Sequence, residues 1–327
     1  MRDQLLEHED KIEEFRATIS TLIEQKRASG LLQEGDEPNL QLSLRELQEE
    51  VYGNLTPWER VAICRHQARP HAIDYIKNLF EEFEEIHGDR AFADDAAVIT
   101  GFGKISGMKV AIIAQEKGSD IDSRMKRNFG MPHPEGYRKA LRCMKLAEKF
   151  GLPVLSLLDT PGAHPGLAAE ERGQGWAIAL NLREMSQIAT PIIAIIIGEG
   201  CSGGALGMGI GDLVAMLRHS YYSVISPEGC ASILWNDSNK KALAAATLKI
   251  HAEQLLDQGV IDDVIEEPMG GAHKNPEQTY ANVRAYLLKN FVQLAKLGKE
   301  DLLNARYDKF RKMGKFEIVE SALVSST

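Results

Sequence analysis

The stretch PIIAIIIGEGCSGGALG, residues 191–207, decides the fold. Ile192 to Ile197 form a continuous apolar run, which is typical of a strand covered on both faces. Glycines and small residues follow, and they lead into a predicted helix from about Gly204 to Ile210. Glycine lets backbone N–H groups approach a ligand, and the start of a helix has N–H groups without an acceptor. This is the composition of an oxyanion hole, although glycines needed only for helix–strand packing would give the same pattern.

A strand and loop of the same kind occur earlier in the chain. Val154 to Leu158 is apolar throughout, and Asp159-Thr160-Pro161-Gly162-Ala163-His164-Pro165-Gly166 follows it. Two prolines and two glycines in this segment exclude regular structure. Because open α/β sheets bind ligands at the carboxyl ends of their strands, we expect a functional loop. Asp159 is expected either to orient this loop or to initiate a turn by accepting backbone N–H groups.

The remaining hydrophobic pattern predicts a layered α/β core. Val98 to Lys104 and Met108 to Gln115 flank Ser106-Gly107, as in a β-hairpin. Three further strands are predicted at Leu213 to Leu217, Ser223 to Ser226 and Val260 to Ile265. The other predicted helices span Ala72 to Ile86, Tyr137 to Phe150, Ala169 to Ile188, Glu228 to Trp235, Lys241 to Gln258, Pro276 to Leu297 and Lys299 to Arg311.

Helical segments are predicted on both sides of a core that spans residues 67–267. Residues 1–66 carry the narrow apolar stripes of a helical hairpin, with capping-box starts at Ser43 and Thr56. Residues 268–327 form the predicted C-terminal helical extension. Narrow stripes on an acidic surface more often pack on the same protein or on a partner subunit than carry chemistry.

Composition limits the possible classes of protein. The 327 residues are 44% hydrophobic and 26% charged, which is enough for a packed core and excludes a disordered or fibrous protein. The longest apolar run is far short of the ~20 residues that span a bilayer, and the first residues are strongly charged, so neither a membrane span nor a signal peptide is expected. The net charge of −9 argues against nucleic acid as the main partner.

The cysteines predict neither a disulfide framework nor a metal site. Cys64, Cys143, Cys201 and Cys230 lie far apart, and they form no C-x-x-C pair or zinc spacing. We therefore expect reduced thiols, a cytoplasmic protein and no metal held by this chain.

Residues 117–145 are an exception to the acidic composition. This segment contains eight basic and three acidic residues. Arg124, Lys126, Arg127 and Arg138 are candidates for contact with an anionic ligand or an acidic partner. The solvated basic face of a helix and its preceding loop is the alternative interpretation.

A serine hydrolase is the rival interpretation of the first glycine-rich turn. Gly200 to Gly204 matches G-x-S-x-G between a strand and a helix, which is the context of a nucleophile elbow with Ser202 as nucleophile. The candidate acid and histidine pairs are Asp237 with His251 and Asp263 with His273. His251 is predicted inside an alanine-rich helix, where a lone histidine is more often a surface or packing residue than a base.

At these motifs the sequence resembles the bacterial alpha subunits of acetyl-CoA carboxylase carboxyltransferase, from the N-terminal helices to about residue 310. The most specific strings are Arg127-Asn128-Phe129-Gly130-Met131-Pro132, Pro134-Glu135-Gly136-Tyr137-Arg138-Lys139-Ala140-Leu141, the loop 159–166, Glu170-Glu171-Arg172-Gly173-Gln174, Gly203-Gly204-Ala205-Leu206 and Ser223 to Trp235. Several such strings in order are far more specific than a single G-x-S-x-G. We therefore favour the carboxyltransferase over the hydrolase.

The resemblance implies a crotonase-like (ClpP/crotonase) α/β fold, with a stacked βα superhelix as its core and helical N- and C-terminal extensions. It implies transfer of a carboxyl group from carboxybiotin, held on a carrier protein, to acetyl-CoA, which gives malonyl-CoA for fatty acid synthesis. By this resemblance Gly203 and Gly204 would donate backbone N–H groups in one oxyanion hole. Gly162, Ala163 and Gly166 would shape the biotin pocket.

The resemblance also implies partners. A separate β subunit would supply a second oxyanion hole, most of the CoA site and a zinc ribbon, in an expected α2β2 complex. Biotin carboxyl carrier protein and an ATP-dependent biotin carboxylase would complete the holoenzyme, with no cofactor bound covalently to this chain. Two residues depart from the family pattern: His164 replaces a frequent aromatic residue and Cys201 a frequent glycine. A cysteine beside the oxyanion turn predicts sensitivity to thiol reagents.

Overall fold

The computed structural model describes residues 6–314, and the chain forms one mixed sheet covered by helices. The outer ends of the two predicted helical extensions, residues 1–5 and 315–327, lie outside the described residues. Within residues 6–314 the strands are β1 Glu82–Glu85, β2 Val98–Ile105, β3 Met108–Gln115, β4 Val154–Thr160, β5 Ile192–Cys201, β6 Leu213–Leu217, β7 Tyr221–Ser223 and β8 Asp263–Ile265.

The sheet is antiparallel on one side and parallel across the rest. β1, β2 and β3 are antiparallel neighbours, and β2 and β3 form the predicted hairpin with Ile105 opposite Met108. β3, β4, β5, β6 and β8 follow side by side in parallel, and β7 pairs with the end of β5. Every residue of β4 and β5 is buried, as their continuous apolar runs predicted.

Helices cover both faces of this sheet. They are α1 Asp10–Ala28, α2 Asp36–Gly53, α3 Pro57–Cys64, α4 Ala72–Leu79, α5 Ile121–Lys126, α6 Pro134–Phe150, α7 Leu167–Glu171, α8 Gln174–Met185, α9 Ser202–Leu206, α10 Pro227–Trp235, α11 Lys241–Leu248, α12 Ala252–Asp257, α13 Pro276–Leu294 and α14 Lys299–Arg311. Successive residues of a strand point to opposite faces, so Ile196 packs with α6 and α8 while Ile195 packs with α4 and α13. The predicted layered α/β core is confirmed.

The predicted helix from Ala72 to Ile86 is wrong in its second half. α4 ends at Leu79, and β1 follows as an exposed edge strand that pairs with β2. Glu82 of β1 forms an ion pair with Lys104 across the pair at 2.8 Å. Phe83 fits a helical period in the sequence, but it packs against the core from this strand instead.

Two long predicted helices are each divided in two. The segment 169–188 is interrupted at Gly173, with φ +81°, and the segment 241–258 at Lys249, with φ +52°. A positive φ is incompatible with a continuous right-handed helix, so each break has a backbone cause. His251 was predicted inside a helix, but it occupies the position directly before the first residue of α12.

Three other predicted elements are correct in type but shifted along the chain. α9 begins at Ser202 and ends at Leu206, earlier than predicted at both ends. β7 ends at Ser223, where the predicted strand began, and β8 begins only at Asp263.

A helical hairpin precedes the core, as predicted. α1 and α2 pack together through Ile12, Ile19 and Leu44. The predicted start at Ser43 is wrong because this residue lies inside α2. The capping box at Thr56 is confirmed: its hydroxyl accepts the backbone N–H of Glu59 at 3.3 Å and starts α3.

Two helices follow the core, again as predicted. α13 packs on the sheet through buried side chains that include Val283 and Leu287. α14 is fastened by Arg306, whose guanidinium is 1% exposed and lies 2.7 Å from Asp212. Within residues 6–314, no helix combines the length and the apolar character that a membrane span requires.

Candidate functional site

The carboxyl ends of β4 and β5 bring the two glycine-rich segments into contact. Thr160 pairs with Gly200, and the backbone of Gly204 lies against that of Gly162 and Ala163. A Cβ atom on Gly204 would lie 2.4 Å from the carbonyl carbon of Gly162 and 2.7 Å from the backbone nitrogen of Ala163. The two segments, which the sequence predicted separately, therefore form one continuous surface.

Gly203 adjoins open space, unlike Gly204. A Cβ atom on Gly203 would meet the Ile178 Cδ1 atom at 3.3 Å. Gly203 and Ser202 line a cavity of ≈ 620 Å³ with mainly apolar walls. Its apolar lining includes Leu206, Ile210, Val214, Leu255, Val260 and Phe310. The N–H groups of the first turn of α9 have no acceptor within the helix, so donors here border a cavity of low dielectric, where they can stabilise negative charge.

The loop of residues 160–166 depends on its glycines. Gly162 has φ +145°, and its N–H and carbonyl groups bond with the Thr160 hydroxyl at 3.1 and 2.8 Å. Gly166 donates its N–H to His164 Nδ1 at 3.1 Å, and a Cβ atom on Gly166 would lie 2.7 Å from the imidazole. The His164 ring stacks on His133 with the centroids 4.1 Å apart. His164 therefore makes a flat stacking contact of the kind that an aromatic residue makes.

A buried ion cluster lies directly beneath both segments. Lys117 Nζ lies 2.6 Å from Asp159 Oδ1 and 2.6 Å from Glu199 Oε1. Asp159 Oδ1 also accepts the backbone N–H of Glu199 at 2.9 Å, and His71 Nδ1 lies 3.5 Å from Asp159 Oδ2. Asp159 therefore orients the loop through side-chain and backbone bonds to the neighbouring strand, which was one of the two predicted roles.

Glu199 extends this cluster toward the helices. Its carboxylate accepts a hydrogen bond from Arg65 Nε at 2.8 Å and another from the Tyr221 hydroxyl. Arg65 also pairs with Glu228 at the start of α10, at 2.5 Å. Glu228 is therefore held by an arginine in the first turn of a helix, where the dipole also favours an acid.

The electrostatics keep both acids of the cluster ionised. Burial acts to raise the pKa of Glu199, but the charges of Lys117 and Arg65 outweigh it and lower the pKa to about 2. Burial likewise opposes ionisation of Asp159, yet Lys117 and His71 hold its pKa well below the usual range. Burial opposes the charge of Lys117 too, and the two carboxylates raise its pKa above the ordinary value. At neutral pH Lys117, Asp159 and Glu199 are therefore all charged.

Most of this cluster was not predicted from the sequence. Lys117 was counted in the basic segment without a role, and Arg65, Glu199 and Tyr221 were not singled out. One signal was available, since Glu199 interrupts a buried strand and a buried carboxylate requires a cation. The partner could not be named because Lys117 lies far from Glu199 in the chain.

The four basic candidates occupy different environments. Arg138 is held inside the chain, with Nε 2.7 Å from Asp89 and Nη2 3.3 Å from Glu135. Arg127 donates to the Ala96 carbonyl at 2.7 Å, and Arg124 Nε donates to the Gly118 carbonyl at 3.1 Å. Lys126 is exposed at the end of α5.

The surroundings of Ser202 do not support a serine nucleophile. Ser202 has φ +52°, as in a strained elbow, but no histidine, aspartate or glutamate is among the described residues that line its cavity. His251 is buried, and its Nε2 lies 2.9 Å from the Pro57 carbonyl oxygen. His273 stacks on His66, with ring centroids 3.8 Å apart. The two candidate acids are also used elsewhere, since Asp237 caps a short 3-10 helix and Asp263 accepts from Tyr286.

Cys201 lacks the properties of a reactive thiol. It is 1% exposed, and burial raises the pKa of its thiol to about 11. The predicted thiol-reagent sensitivity therefore does not follow at this residue, because the thiolate is the reactive form. Within residues 6–314, no group of three or more metal-ligating side chains is placed to hold a metal ion.

The chain is similar in sequence to one family of known proteins. The family model for acetyl co-enzyme A carboxylase carboxyltransferase-like proteins matches residues 5–314. The acetyl-coenzyme A carboxylase carboxyl transferase subunit alpha of Chlamydia muridarum is 58% identical over 96% of this chain and 97% of its own length. The corresponding protein of Chlamydia pneumoniae is 56% identical over the same shares.

Solved structures support the fold. The transcarboxylase 12S structure with methylmalonyl-coenzyme A bound has a TM-score of 0.54 at 18% identity, over 77% of this chain and 44% of that chain. A Pseudomonas malonate decarboxylase hetero-tetramer in complex with coenzyme A has a TM-score of 0.53 at 16% identity, over 65% and 85%. The crotonase-like fold is confirmed, and the serine hydrolase finds no support. The chain belongs to the family of acetyl-CoA carboxylase carboxyltransferase alpha subunits.

Proposed function

We propose that this chain, together with a β subunit, transfers a carboxyl group from carboxybiotin to acetyl-CoA and so forms malonyl-CoA for fatty acid synthesis. The observation that carries this proposal is the contact of Gly204 with Gly162 and Ala163. This contact places the turn that carries the N–H donors next to the loop that the family resemblance assigns to biotin. A reaction that passes through two anions needs such donors more than it needs a nucleophilic side chain.

Negative charge develops on two oxygen atoms in this reaction. When carboxybiotin releases its carboxyl group as CO2, the charge is shared with the ureido oxygen of biotin. The biotin nitrogen then takes the α-proton of acetyl-CoA, which leaves an enolate with its charge on the thioester oxygen. Attack of the enolate carbon on CO2 gives malonyl-CoA, and biotin leaves with the proton.

We assign the donors on the biotin side to the backbone N–H groups of Gly203 and Gly204. One donor of this kind typically contributes about 3 kcal/mol of transition-state stabilisation, so a glycine turn can support much of the catalysis. Gly162, Ala163 and Gly166 would shape the pocket for the biotin rings, since they form the backbone next to Gly204 or fix the loop. The β subunit would supply donors for the thioester oxygen.

Exposed apolar side chains support the need for a partner. Ile121, Leu167, Trp176, Val224 and Ile233 are each 73–79% exposed, on segments that adjoin the site or the basic segment. Val224 also lines the cavity beside Gly203. Large exposed apolar residues mark interaction surfaces, and we propose that the β subunit covers them in an α2β2 complex.

The wider assembly is proposed from the family. Biotin carboxyl carrier protein would deliver carboxybiotin, biotin carboxylase would regenerate it with ATP, and the β subunit would hold the zinc. The four cysteines of this chain are free thiols, which agrees with a cytoplasmic complex.

The basic segment offers the anion contacts. Arg124 and Lys126 lie in α5 and Arg127 directly follows it, and we propose that they contact CoA phosphates or the acidic carrier protein. Arg138 was a candidate for the same role, but its guanidinium is used by Asp89 and Glu135. We propose that Arg138 holds the segment in place.

The reverse half-reaction tests this function. Purified chain, with and without a co-expressed β subunit, is incubated with malonyl-CoA and free biotin, and carboxylation of biotin is measured. Activity only in the presence of the β subunit is the expected result, because half of the site belongs to each subunit. Ester hydrolysis by the chain alone, without carboxyl transfer in either sample, would overturn the proposal.

A further inference from the structure

We propose that Lys117 is a positioning residue that sets the spacing of the two glycine-rich segments, and this inference rests on the proposed carboxyl transfer. Lys117 follows β3, Asp159 lies near the end of β4, and Glu199 lies near the end of β5. These three strands are neighbours in the sheet. A single ammonium group therefore joins the ends of three adjacent strands.

Each carboxylate bound by Lys117 belongs to the residue at the start of one glycine-rich segment. Asp159 is followed by the loop that contains Gly162, and Glu199 is followed by the turn that contains Gly203. Because both carboxylate oxygens lie 2.6 Å from the same nitrogen, a shift of Asp159 or Glu199 must lengthen a buried ion pair. The ammonium thus fixes the distance between the candidate donors and the candidate biotin loop.

Glycines leave the space that this arrangement needs. A Cβ atom on Gly198 would lie 2.3 Å from Asp159 Oδ1, and one on Gly130 would lie 2.5 Å from Lys117 Cγ. Gly130 belongs to the specific string at residues 127–132, and the proposed reaction assigned no role to this glycine. The absence of a side chain at Gly130 therefore leaves space for Lys117, and its absence at Gly198 leaves space for Asp159.

The other groups around the cluster cannot replace Lys117. A cavity of ≈ 280 Å³ opens beside it, and its titratable and charged lining residues are Cys64, Arg65, His66, Arg69, His71, Lys117, Arg124, Asp159 and Glu199. Arg69 pairs with Glu267 at 2.8 Å, and Arg65 is shared by Glu199 and Glu228. Loss of the ammonium would leave two buried carboxylates facing each other, and one of them would take up a proton at a higher pH.

The test uses the complex with the β subunit and compares Lys117→Met, Lys117→Arg and Lys139→Met. Lys139 is the matched control because it is a lysine, is 1% exposed, and binds Asp94 Oδ1 at 2.6 Å and the Asp95 carbonyl at 2.8 Å. Carboxylation of free biotin is measured per folded complex across pH. For Lys117→Met we expect a kcat lower by about 100-fold, since small misplacements of reacting groups have effects of this order.

The variants at Lys117 and Lys139 should differ in more than rate. Lys117→Met should leave the KM for malonyl-CoA unchanged and move the acid limb of kcat to higher pH, and Lys117→Arg should restore part of the rate. Lys139→Met should lose stability but keep the kcat and the pH profile of the unaltered complex. A double variant, Lys117→Met with Glu199→Gln, removes the facing charges; it should fold, regain the pH profile and keep the low kcat.

The outcomes separate the inference from the function on which it rests. An unaltered complex that is inactive contradicts the proposed carboxyl transfer and this role with it. An active complex in which Lys117→Met, or the double variant if the single one does not fold, matches Lys139→Met in kcat overturns the positioning role alone.

Discussion

Both edges of the parallel sheet are fastened by a buried cation, but their surroundings differ. At the carboxyl edge, Lys117 bridges Asp159 and Glu199 beneath the glycine-rich segments. At the amino edge, Arg306 of α14 binds Asp212, which directly precedes β6. Arg306 also donates to three carbonyls on the approach to β5, those of Met185, Ile188 and Thr190.

The difference shows that a buried ion pair does not by itself mark a functional site. Arg306 is 1% exposed, and it bonds to Asp212 and to three backbone carbonyls. These bonds hold α14 against the sheet, so the role of Arg306 is structural. Lys117 performs the same task for two segments, but one of them contains Gly203, which lines a cavity of ≈ 620 Å³. Unfilled space next to backbone donors, rather than the ion pair, distinguishes the carboxyl edge.

Loss of Arg306 should show the difference between the two edges most clearly, because it should reduce stability without reducing activity. Arg306→Met leaves Asp212 buried without its partner, and breaking such a pair typically costs about 3–5 kcal/mol of stability. The free energy of unfolding, measured in urea, should fall by this amount, while carboxyl transfer per folded complex stays unchanged. Arg311→Met, an exposed arginine on the same helix, is the control and should change neither value. A loss of transfer in folded Arg306→Met would place function at both edges.

The adjacent glycines at the carboxyl edge should respond differently to the same change. Gly203→Val should fold, because the nearest described atom is the mobile end of Ile178, but its side chain would crowd the donors. Carboxyl transfer should fall by about 10²–10³-fold, as when one oxyanion donor is removed. Gly204→Val should instead lose the folded state, because its side chain would overlap the backbone of Gly162.

Circular dichroism and transfer assays on both variants make this comparison. Full carboxyl transfer by a folded Gly203→Val complex would remove Gly203 from the donor set. A folded but inactive Gly204→Val complex would show that the side chain at residue 204 disturbs catalysis and not folding.

Acid should destabilise the carboxyl edge through two buried histidines, His219 after β6 and His251 beside Tyr221 of β7. Burial lowers the pKa of His219 and of His251 to about 4, from an ordinary value near 6.5. Between these values the unfolded chain binds more protons than the folded chain, so their stabilising effect is complete above pH 6.5 and is lost as the pH falls toward 4. Each histidine adds a slope of up to about 1.4 kcal/mol per pH unit to the free energy of unfolding.

Unfolding in urea at several pH values from 4 to 7 measures this slope. His219→Gln and His251→Gln should each flatten it, whereas Glu199, whose pKa is about 2, contributes its full stabilisation above its ordinary value of 4.5 and changes the slope only below that pH. An unchanged slope in both histidine variants would contradict the predicted burial effect.

The sequence predicted the elements that build the carboxyl edge better than the contacts that hold it. β4, β5 and both glycine-rich segments were predicted because buried strands and glycine turns are local patterns. The ion cluster could not be predicted, since Lys117, Asp159 and Glu199 lie at or just after the ends of three strands and meet only in the folded sheet. His251 was misplaced for a related reason: Lys249 adopts a positive φ within a sequence of good helix formers, and tertiary contacts decide that break.

The smallest change is expected at Ser202, which directly precedes Gly203 and lines the same cavity. Its hydroxyl borders the apolar cavity, where no described histidine or acid can activate it. Ser202→Ala keeps the backbone donors, so carboxyl transfer should stay within about twofold, as for most exposed substitutions. Parallel assays of Ser202→Ala and Gly203→Val in the β-subunit complex compare a lost hydroxyl with obstructed N–H groups. If Ser202→Ala abolished turnover while the complex remained folded, the hydroxyl, and not the backbone, would be the reacting group of this turn.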